Sequence, residues 1–441
     1  MKHVLILGAG RIARPCVQYL QKLDWVNLTV VEAVKENLER VAGGHSRTTT
    51  LNQALPKDAS GFIAAQKPDL VMNLLPAESR NQIATDCLKA GVNLMFPAYA
   101  DDQIRAMEPQ LKEAGRTWLF ELGLDPGIDH MSAAKTISGI HAAGGKVESY
   151  RSTCGAIPSA EANTNPWGYK LSWAPEALIG ASRRTSRIMV DGTVVEWPDG
   201  VTYEHAFLEE VPGMGCYEVY ANADAVPYLK IYGIPEAKSI FRGTYRYVGW
   251  AETIVAMNQL GLFGLEPEDF KGLTFRRAIA RKCGAAGHAD TEAALCAKLG
   301  LHPASAIILR LKWLGFLEDR PVPASCGCSR DLVRFLFGER LFYTPQERDL
   351  IILMDEVVAF YPATGKRERH ISTLIDFGVP GGDSAIARTT GLPPAIAGRL
   401  LLEGRIKQKG IVLPTLPDLY EPCLAELQRE GIRMAETVVQ L

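Results

Sequence analysis

Apolar and polar positions along this chain fall into three successive patterns. Over residues 1–125, short apolar runs alternate with helical spacing. Val4–Leu7 is followed by Ile12, Cys16, Leu20 and Leu23, then by a second run, Leu28–Val31. Asp69–Leu75 is almost continuously apolar, as a strand buried on both faces requires, and Pro76 stops it. A helix is expected from Glu78 to Ala90, closed by Gly91. A strand at Val92–Phe96, a helix carrying Ile104, Met107 and Leu111, and a strand at Thr117–Phe120 come next. Repeated strand and helix imply a parallel sheet with right-handed crossovers, whose ligands lie beyond the carboxyl ends of the strands.

The middle of the chain reads differently. Lys146–Ser152, Cys216–Tyr220 and Ser239–Tyr247 are strand-like, and residues 185–196 carry Asp191-Gly192 between two runs, a hairpin signal. A mixed or antiparallel sheet is expected. From Glu252 to Phe342 the spacing turns helical, clearest at Ala293–Leu299 and Ala306–Leu317. Strands return at Asp355–Tyr361 and His370–Phe377. Gly381-Gly382-Asp383 then opens a long helical stretch that Pro393 and Pro394 interrupt. This last segment is expected to pack back on the first domain, making the domains discontinuous.

Composition narrows the picture only slightly. A chain of 441 residues exceeds one ordinary core, so two or three domains are expected. A net charge of −2 gives no reason to expect nucleic acid or an anionic membrane surface as partner. Nine cysteines are too sparse for a disulfide scaffold and read as reduced thiols of a cytoplasmic protein. No signal peptide or membrane span is expected, because the first apolar run is only Val4–Leu7 and no later run is long enough. Cys326-Gly-Cys328 has no second pair at zinc-site spacing, so no metal is expected.

Chemistry concentrates in four places. The first is Gly8-Ala9-Gly10-Arg11-Ile12-Ala13, set between a strand and a helix. Gly8 permits a tight turn, Gly10 lets backbone approach a pyrophosphate, and Ala13 lets the helix pack closely. N–H groups at the helix start favour phosphate charge. Glu32 ends the next strand. Its carboxylate could accept both ribose hydroxyls, which favours NAD over NADP; a solvated strand-end glutamate is the other reading, and nearby Lys35 bears on the choice. The second is Glu121-Leu-Gly-Leu-Asp125-Pro126-Gly127-Ile-Asp129-His130. Asp-Pro-Gly makes a turn, Asp129 is a plausible cap for a helix from His130 to Ala143, and His130 is expected partly exposed. Asp125 either faces the ligand crevice or merely initiates the turn.

The third is Cys154-Gly155, at a strand end, with the segment Asn165–Trp173, whose two tryptophans, tyrosine and lysine either line a pocket for a charged ligand or pin a surface loop. The fourth is Arg242-Gly243-Thr244-Tyr245-Arg246. On a strand, residues 242, 244 and 246 share a face, and two guanidiniums with a hydroxyl form a comb for carboxylates. Gly243 favours close approach by a ligand. A solvated face with ion pairs is the alternative.

Together these motifs, with Gly381-Gly382 and Ala395-Ile-Ala397, resemble the saccharopine dehydrogenase (L-glutamate-forming) family, also called saccharopine reductase, from end to end. The resemblance implies an α/β protein. A Rossmann dinucleotide-binding domain (residues 1–125 with about 380–441) would join an α/β mixed-sheet substrate and dimerisation domain (126–250 with about 343–379) and a small all-helical lid (251–342). It implies oxidation of saccharopine, a small molecule with several carboxylates, to L-glutamate and 2-aminoadipate 6-semialdehyde with NAD or NADP, or the reverse, in lysine metabolism. A homodimer is implied too. The implied catalytic candidates are Asp125, Cys154 and Tyr99. The implied cofactor contacts are Gly8, Gly10, Arg11, Ile12, Glu32, Leu75 and Pro76, and the implied substrate contacts are Gly155, Trp173, Arg242, Thr244 and Arg246. Two departures stand out. Fungal members carry an arginine just after the second strand where this chain has Glu32-Ala33, which keeps NAD favoured, and Ser-Ser-Tyr where this chain has Pro97-Ala98-Tyr99. The alternatives are a dehydrogenase of another secondary-amine dicarboxylate, such as an opine or a carboxylated polyamine, and a cofactor-binding regulator without turnover.

Overall fold

The computed structural model describes residues 1–173, 175–285 and 290–441. They form two compact units: Met1–Tyr150, Lys230–Glu236 and Leu353–Leu441 in the first, Arg151–Leu229 and Ala237–Ile352 in the second.

In the first unit, among the described residues, one sheet joins β1 (Lys2–Leu7), β2 (Val26–Glu32), β3 (Thr48–Asn52), β4 (Leu70–Asn73), β5 (Leu94–Phe96), β6 (Thr117–Phe120) and a late strand, Gly410–Val412. Its order is Gly410–Val412, β6, β5, β4, β1, β2, β3, and every pair is parallel. Val4–Leu7 is fully buried because β1 is central and covered on both faces. The strand order reverses between β1 and β4, and ligands of such sheets bind beyond the strand ends at that switch.

Helix α1 (Ala13–Gln21) follows β1, and α2 (Lys35–Ala42) follows β2. The Ala385–Leu402 helix lies against α1 so closely that a Cβ at Gly391 would come 2.3 Å from the Ile12 carbonyl oxygen. It runs unbroken through Pro393 and Pro394, contrary to the expected interruption. Interior prolines cost about 3 kcal/mol each or more, and burial of the whole stretch from Gly391 to Gly398 opposes that cost. The expected helix over Ile104–Leu111 is instead two, Asp102–Arg105 and Glu108–Glu113, because Pro109 fits only a first turn.

The second unit contains most of β7 (Lys146–Pro158), then β8 (Ser186–Val190), β9 (Thr193–Trp197), β10 (Phe207–Val211), β11 (Gly215–Ala221) and β12 (Ser239–Arg246). The order is β10, β11, β12, β7, with β8 beside β12 and β9 beside β8. Asp191 and Gly192, at φ +48° and +81°, form the two-residue hairpin turn that the sequence announces. The helices Trp250–Gln259, Phe275–Lys282, Thr291–Leu299, Ala306–Leu314 and Ser329–Arg340 share one apolar core with Trp167, Tyr169, Tyr203 and Tyr220. Residues 286–289, within the expected helical segment, lie outside the described residues. Strand β13 (Asp349–Tyr361) returns the chain to the first unit, where β14 (Lys366–Phe377) pairs antiparallel with the last strand, Ala435–Gln440.

Candidate active site

The turn after β1 is built by one backbone. Gly8 sits at φ +95°, and a Cβ there would come 3.0 Å from the Leu74 carbonyl carbon and the Leu75 nitrogen. Only glycine enters that conformation cheaply, and only glycine lets β4 approach so closely. The Asn73 side-chain oxygen accepts the Leu75 N–H at 3.1 Å, which ends β4 before the expected Leu75 and holds Leu75 and Pro76 beside the turn. Gly10 faces open space, with nothing within 4 Å of where a Cβ would lie. That cradle and the start of α1 at Ala13 fit a dinucleotide pyrophosphate. Ile12 is the cap residue of α1, and Arg11 is exposed.

Glu32 points back into this turn. Its Oε2 accepts the Ala9 N–H at 2.9 Å and its Oε1 accepts the Val34 N–H at 3.0 Å. Arg40, in the last turn of α2, donates to the Ala9 and Gly10 carbonyl oxygens at 2.9 and 3.0 Å. Arg14 meets Asp383 at 2.7 Å. Lys35 extends into solvent, 3.7 Å from Glu39.

The segment after β6 folds on itself. Gly123 donates to the Pro126 carbonyl at 2.8 Å, the Asp125–Pro126 peptide is cis, and a Cβ at Gly127 would overlap the Gly123 carbonyl oxygen at 2.0 Å. The next helix starts at Ile128 with Gly127 at its cap, so Asp129 is not the cap as expected. Asp129 lies in the first turn, and its Oδ1 accepts the Gly127 N–H at 2.6 Å. His130, expected partly exposed, is buried: its Nε2 is 3.0 Å from Glu121 Oε2 and its Nδ1 2.5 Å from the Tyr232 hydroxyl. Arg105 reaches the other Glu121 oxygen at 3.3 Å. Tyr99 and Asp125 are brought together, the hydroxyl donating to Oδ1 at 3.4 Å.

In the second unit the comb on β12 is observed, but its members have separate surroundings. The Arg242 guanidinium stacks 4.6 Å from the centre of the Tyr228 ring, Thr244 is opposite Tyr220, and Arg246 lies 4.9 Å from the Tyr169 ring and 5.6 Å from the Trp250 ring. Gly243 makes room for the Phe241 ring, where a Cβ would meet it at 2.4 Å, rather than for a ligand. Arg246 is 5% exposed. Its Nη1 donates to the Tyr245 carbonyl at 2.8 Å, its Nε has no acceptor, and no carboxylate partners it among the described residues. Buried charges are ordinarily paired, so a buried guanidinium left this way is suited to an anion.

Hydroxyls surround it. Trp173 Nε1 donates to the Tyr169 hydroxyl at 2.7 Å, and Tyr203 and Tyr220 lie 4.5 Å apart, ring centre to ring centre, and share a hydrogen bond. Burial pushes the Tyr169, Tyr203 and Tyr220 phenols above their ordinary range, so they remain neutral hydroxyls. Cys154 is buried within electrostatic reach of Arg246, and lies inside β7, which continues to Pro158, rather than at a strand end. Gly155 lets β7 lie against Tyr245, where a Cβ would come 2.7 Å from the tyrosine Cβ.

The Asn165–Trp173 segment divides between two tasks. Trp167 is core, edge-on to Trp250 and Phe337. Lys170 is buried against Glu347, while Tyr169 lies against Arg246 and Trp173 holds the Tyr169 hydroxyl. It is therefore no surface loop.

Sequence reasoning had passed over Arg40, Tyr203, Tyr220 and the Glu121–His130 pair. Tyr220 carried no clear signal, since it shares a strand face with Cys216 and Glu218 and β11 is buried at every position from Tyr217 to Ala221. Tyr203 sits in a short 3-10 turn and Arg40 on an exposed helix face, and neither position carries a local mark.

Two family models match the chain: a saccharopine dehydrogenase NADP binding domain over residues 4–119 and a saccharopine dehydrogenase C-terminal domain over residues 123–432. A mitochondrial alpha-aminoadipic semialdehyde synthase of Bos taurus is 33% identical over 98% of this chain and 47% of its own length. The chain thus spans about half the length of that relative. The saccharopine dehydrogenase [NADP(+), L-glutamate-forming] of Saccharomyces cerevisiae is 31% identical over 99% of both chains. The apo structure of saccharopine dehydrogenase (L-Glu forming) from Saccharomyces cerevisiae superposes with a TM-score of 0.87 at 30% identity, covering both chains fully.

These findings overturn the preference for NAD. The matching domain is an NADP binding domain, and the fungal relative is named for NADP(+). The inference failed on geometry. Both Glu32 oxygens are engaged by backbone N–H groups of this chain, so the carboxylate is not simply displayed toward a ribose.

Proposed function

The chain belongs to the saccharopine dehydrogenase family, and on that premise we propose that it interconverts saccharopine with L-glutamate and 2-aminoadipate 6-semialdehyde, using NADP. In the oxidative direction, saccharopine, NADP+ and water give L-glutamate, the semialdehyde, NADPH and a proton. The observation that carries this reading is Arg246, a buried guanidinium with no carboxylate partner among the described residues, set among neutral hydroxyls. A substrate with several carboxylates supplies the missing charge.

NADP supplies the hydride acceptor for the carbon bonded to the secondary amine. The chain's own residues do the rest. Gly8 and Gly10 hold backbone where a pyrophosphate can meet it, with Arg11, Ile12, Leu75 and Pro76 around them. Arg246, Arg242, Thr244, Trp173 and Gly155 orient substrate carboxylates. Asp125, held by Tyr99, takes the amine proton and later helps water add to the imine carbon, with Cys154 as the second candidate for proton transfer. The three-domain division, a homodimer and a cytoplasmic setting accompany this reading as proposals.

The test is direct. Purified protein is given saccharopine with NADP+ or NAD+, and reduced nicotinamide and glutamate are measured. Matched production of both with NADP+ is expected. Cofactor binding without either product would reject the substrate assignment.

A further inference from the structure

We infer that Arg40 is the residue by which this chain recognises the 2′-phosphate of NADP, an inference that rests on the cofactor reading above. The adenosine ribose of a dinucleotide on such a sheet lies over the glycine turn, beside the end of the second strand. In this chain the residues there are Ala9, Glu32, Ala33, Val34 and Lys35, with Arg40 reaching in from α2. No arginine stands at the strand end itself. Lys35 is directed at Glu39 and is 72% exposed, which leaves it a poor anchor.

Arg40 is placed differently. One of its terminal nitrogens is fixed on the Ala9 and Gly10 carbonyl oxygens at 2.9 and 3.0 Å, a clasp that holds the planar guanidinium against the turn. Among the described residues its Nε and Nη1 make no hydrogen bond, so both can meet a phosphate, which guanidinium binds with paired donors. Among the described residues no carboxylate forms an ion pair with Arg40.

The charges facing it are Arg14, Asp383, Arg11 and Glu32. Asp383 is committed to Arg14 at 2.7 Å, and the two Glu32 oxygens accept backbone N–H groups at 2.9 and 3.0 Å. Partial burial, and then the Arg14 guanidinium, push the Arg40 pKa down from its ordinary value. A dianion placed here relieves that crowding. The same bonds explain how a glutamate at the strand end is compatible with a phosphate: the backbone donors draw its charge toward the turn.

The experiment is calorimetric titration of the full chain with 2′,5′-ADP and with 5′-AMP, which differ only in the phosphate at issue. The wild type is compared with Arg40→Leu and Arg40→Lys. Loss of a charge-assisted contact predicts that Arg40→Leu weakens 2′,5′-ADP by about 10- to 100-fold while moving 5′-AMP less than about 3-fold. Arg40→Lys is expected to fall between, retaining charge without the paired donors, and it serves if the leucine variant does not fold. KM values for NADP+ and NAD+ are expected to follow the same division. Equal weakening of both nucleotides would overturn the inference and leave Arg40 as a clasp of the turn. Unchanged 2′,5′-ADP affinity in both variants would overturn it as well. A wild type that binds 5′-AMP as tightly as 2′,5′-ADP would instead show that the cofactor reading itself had failed.

Discussion

At the glycine turn, Glu32 gives both oxygens to backbone N–H groups and Arg14 meets Asp383, whereas around Arg246 rings and hydroxyls crowd a buried guanidinium that no carboxylate meets among the described residues. Both regions are suited to anions, by different means. The turn offers backbone donors and a glycine cradle, with most of its charges already satisfied inside the fold. Arg246 is a buried charge with no carboxylate partner among the described residues, where attraction for an incoming carboxylate is strong and the cost to the folded protein is also large. The first arrangement tolerates an empty site. The second would gain most from a bound carboxylate.

The sharpest contrast to Arg246 within its own unit is Lys170, a buried cation that does have a carboxylate, Glu347. Glu347→Gln would leave Lys170 buried beside a neutral group and is expected to cost about 3–5 kcal/mol in denaturant unfolding. The wild-type pair also makes a pH prediction. Burial tends to raise the Glu347 pKa, but the Lys170 hydrogen bond and its charge outweigh it, so the pKa falls below the ordinary 4.5. A depressed carboxylate stabilises the fold above its unfolded pKa and loses that contribution as pH falls through the folded value. Wild type is therefore expected to lose more stability than Glu347→Gln on acidification from neutral pH to below 4.5, read by thermal melts.

Gly8→Ala tests the other region. Its φ of +95° and the 3.0 Å approach of Leu74 predict a loss of about 1–3 kcal/mol, with NADP+ and NAD+ weakened alike because both share the pyrophosphate. A smaller effect is expected at Tyr203→Phe. Removing the hydroxyl that bonds Tyr220 costs about 1 kcal/mol and raises KM for saccharopine a few-fold, leaving KM for NADP+ in place. A change confined to KM for NADP+ would blur the division between the regions.

Local signals made part of this legible in advance. The glycine turn, the Asp191-Gly192 hairpin and the helical spacing after Glu252 are written in neighbouring residues and appear where expected. Strand β3 had no such signal: Thr48-Thr49-Thr50-Leu51-Asn52 is an edge strand, largely exposed, without apolar alternation. His130 was misjudged because its ring is buried against Tyr232, a residue distant in sequence, and Asp129 because Gly127 takes the cap position of their helix. Glu32 was readable as a residue but not as a hydrogen-bonding geometry, and the cofactor preference went wrong there. The two arginines of β12 were correctly placed on one face, yet only the fold separates Arg242, stacked on Tyr228, from Arg246, shut among Tyr169, Tyr203 and Tyr220.

The most direct test of an Arg246 charge held for the substrate pairs two readings on one variant, Arg246→Met: saccharopine affinity and the melting temperature without ligand. The account predicts saccharopine binding weakened by about 100-fold, NADP+ binding retained and a melting temperature no lower than wild type, because a buried charge without a carboxylate partner among the described residues has been replaced by an apolar chain. Saccharopine binding at wild-type strength, with a melting temperature several degrees lower, would contradict it and make Arg246 a structural residue of the core.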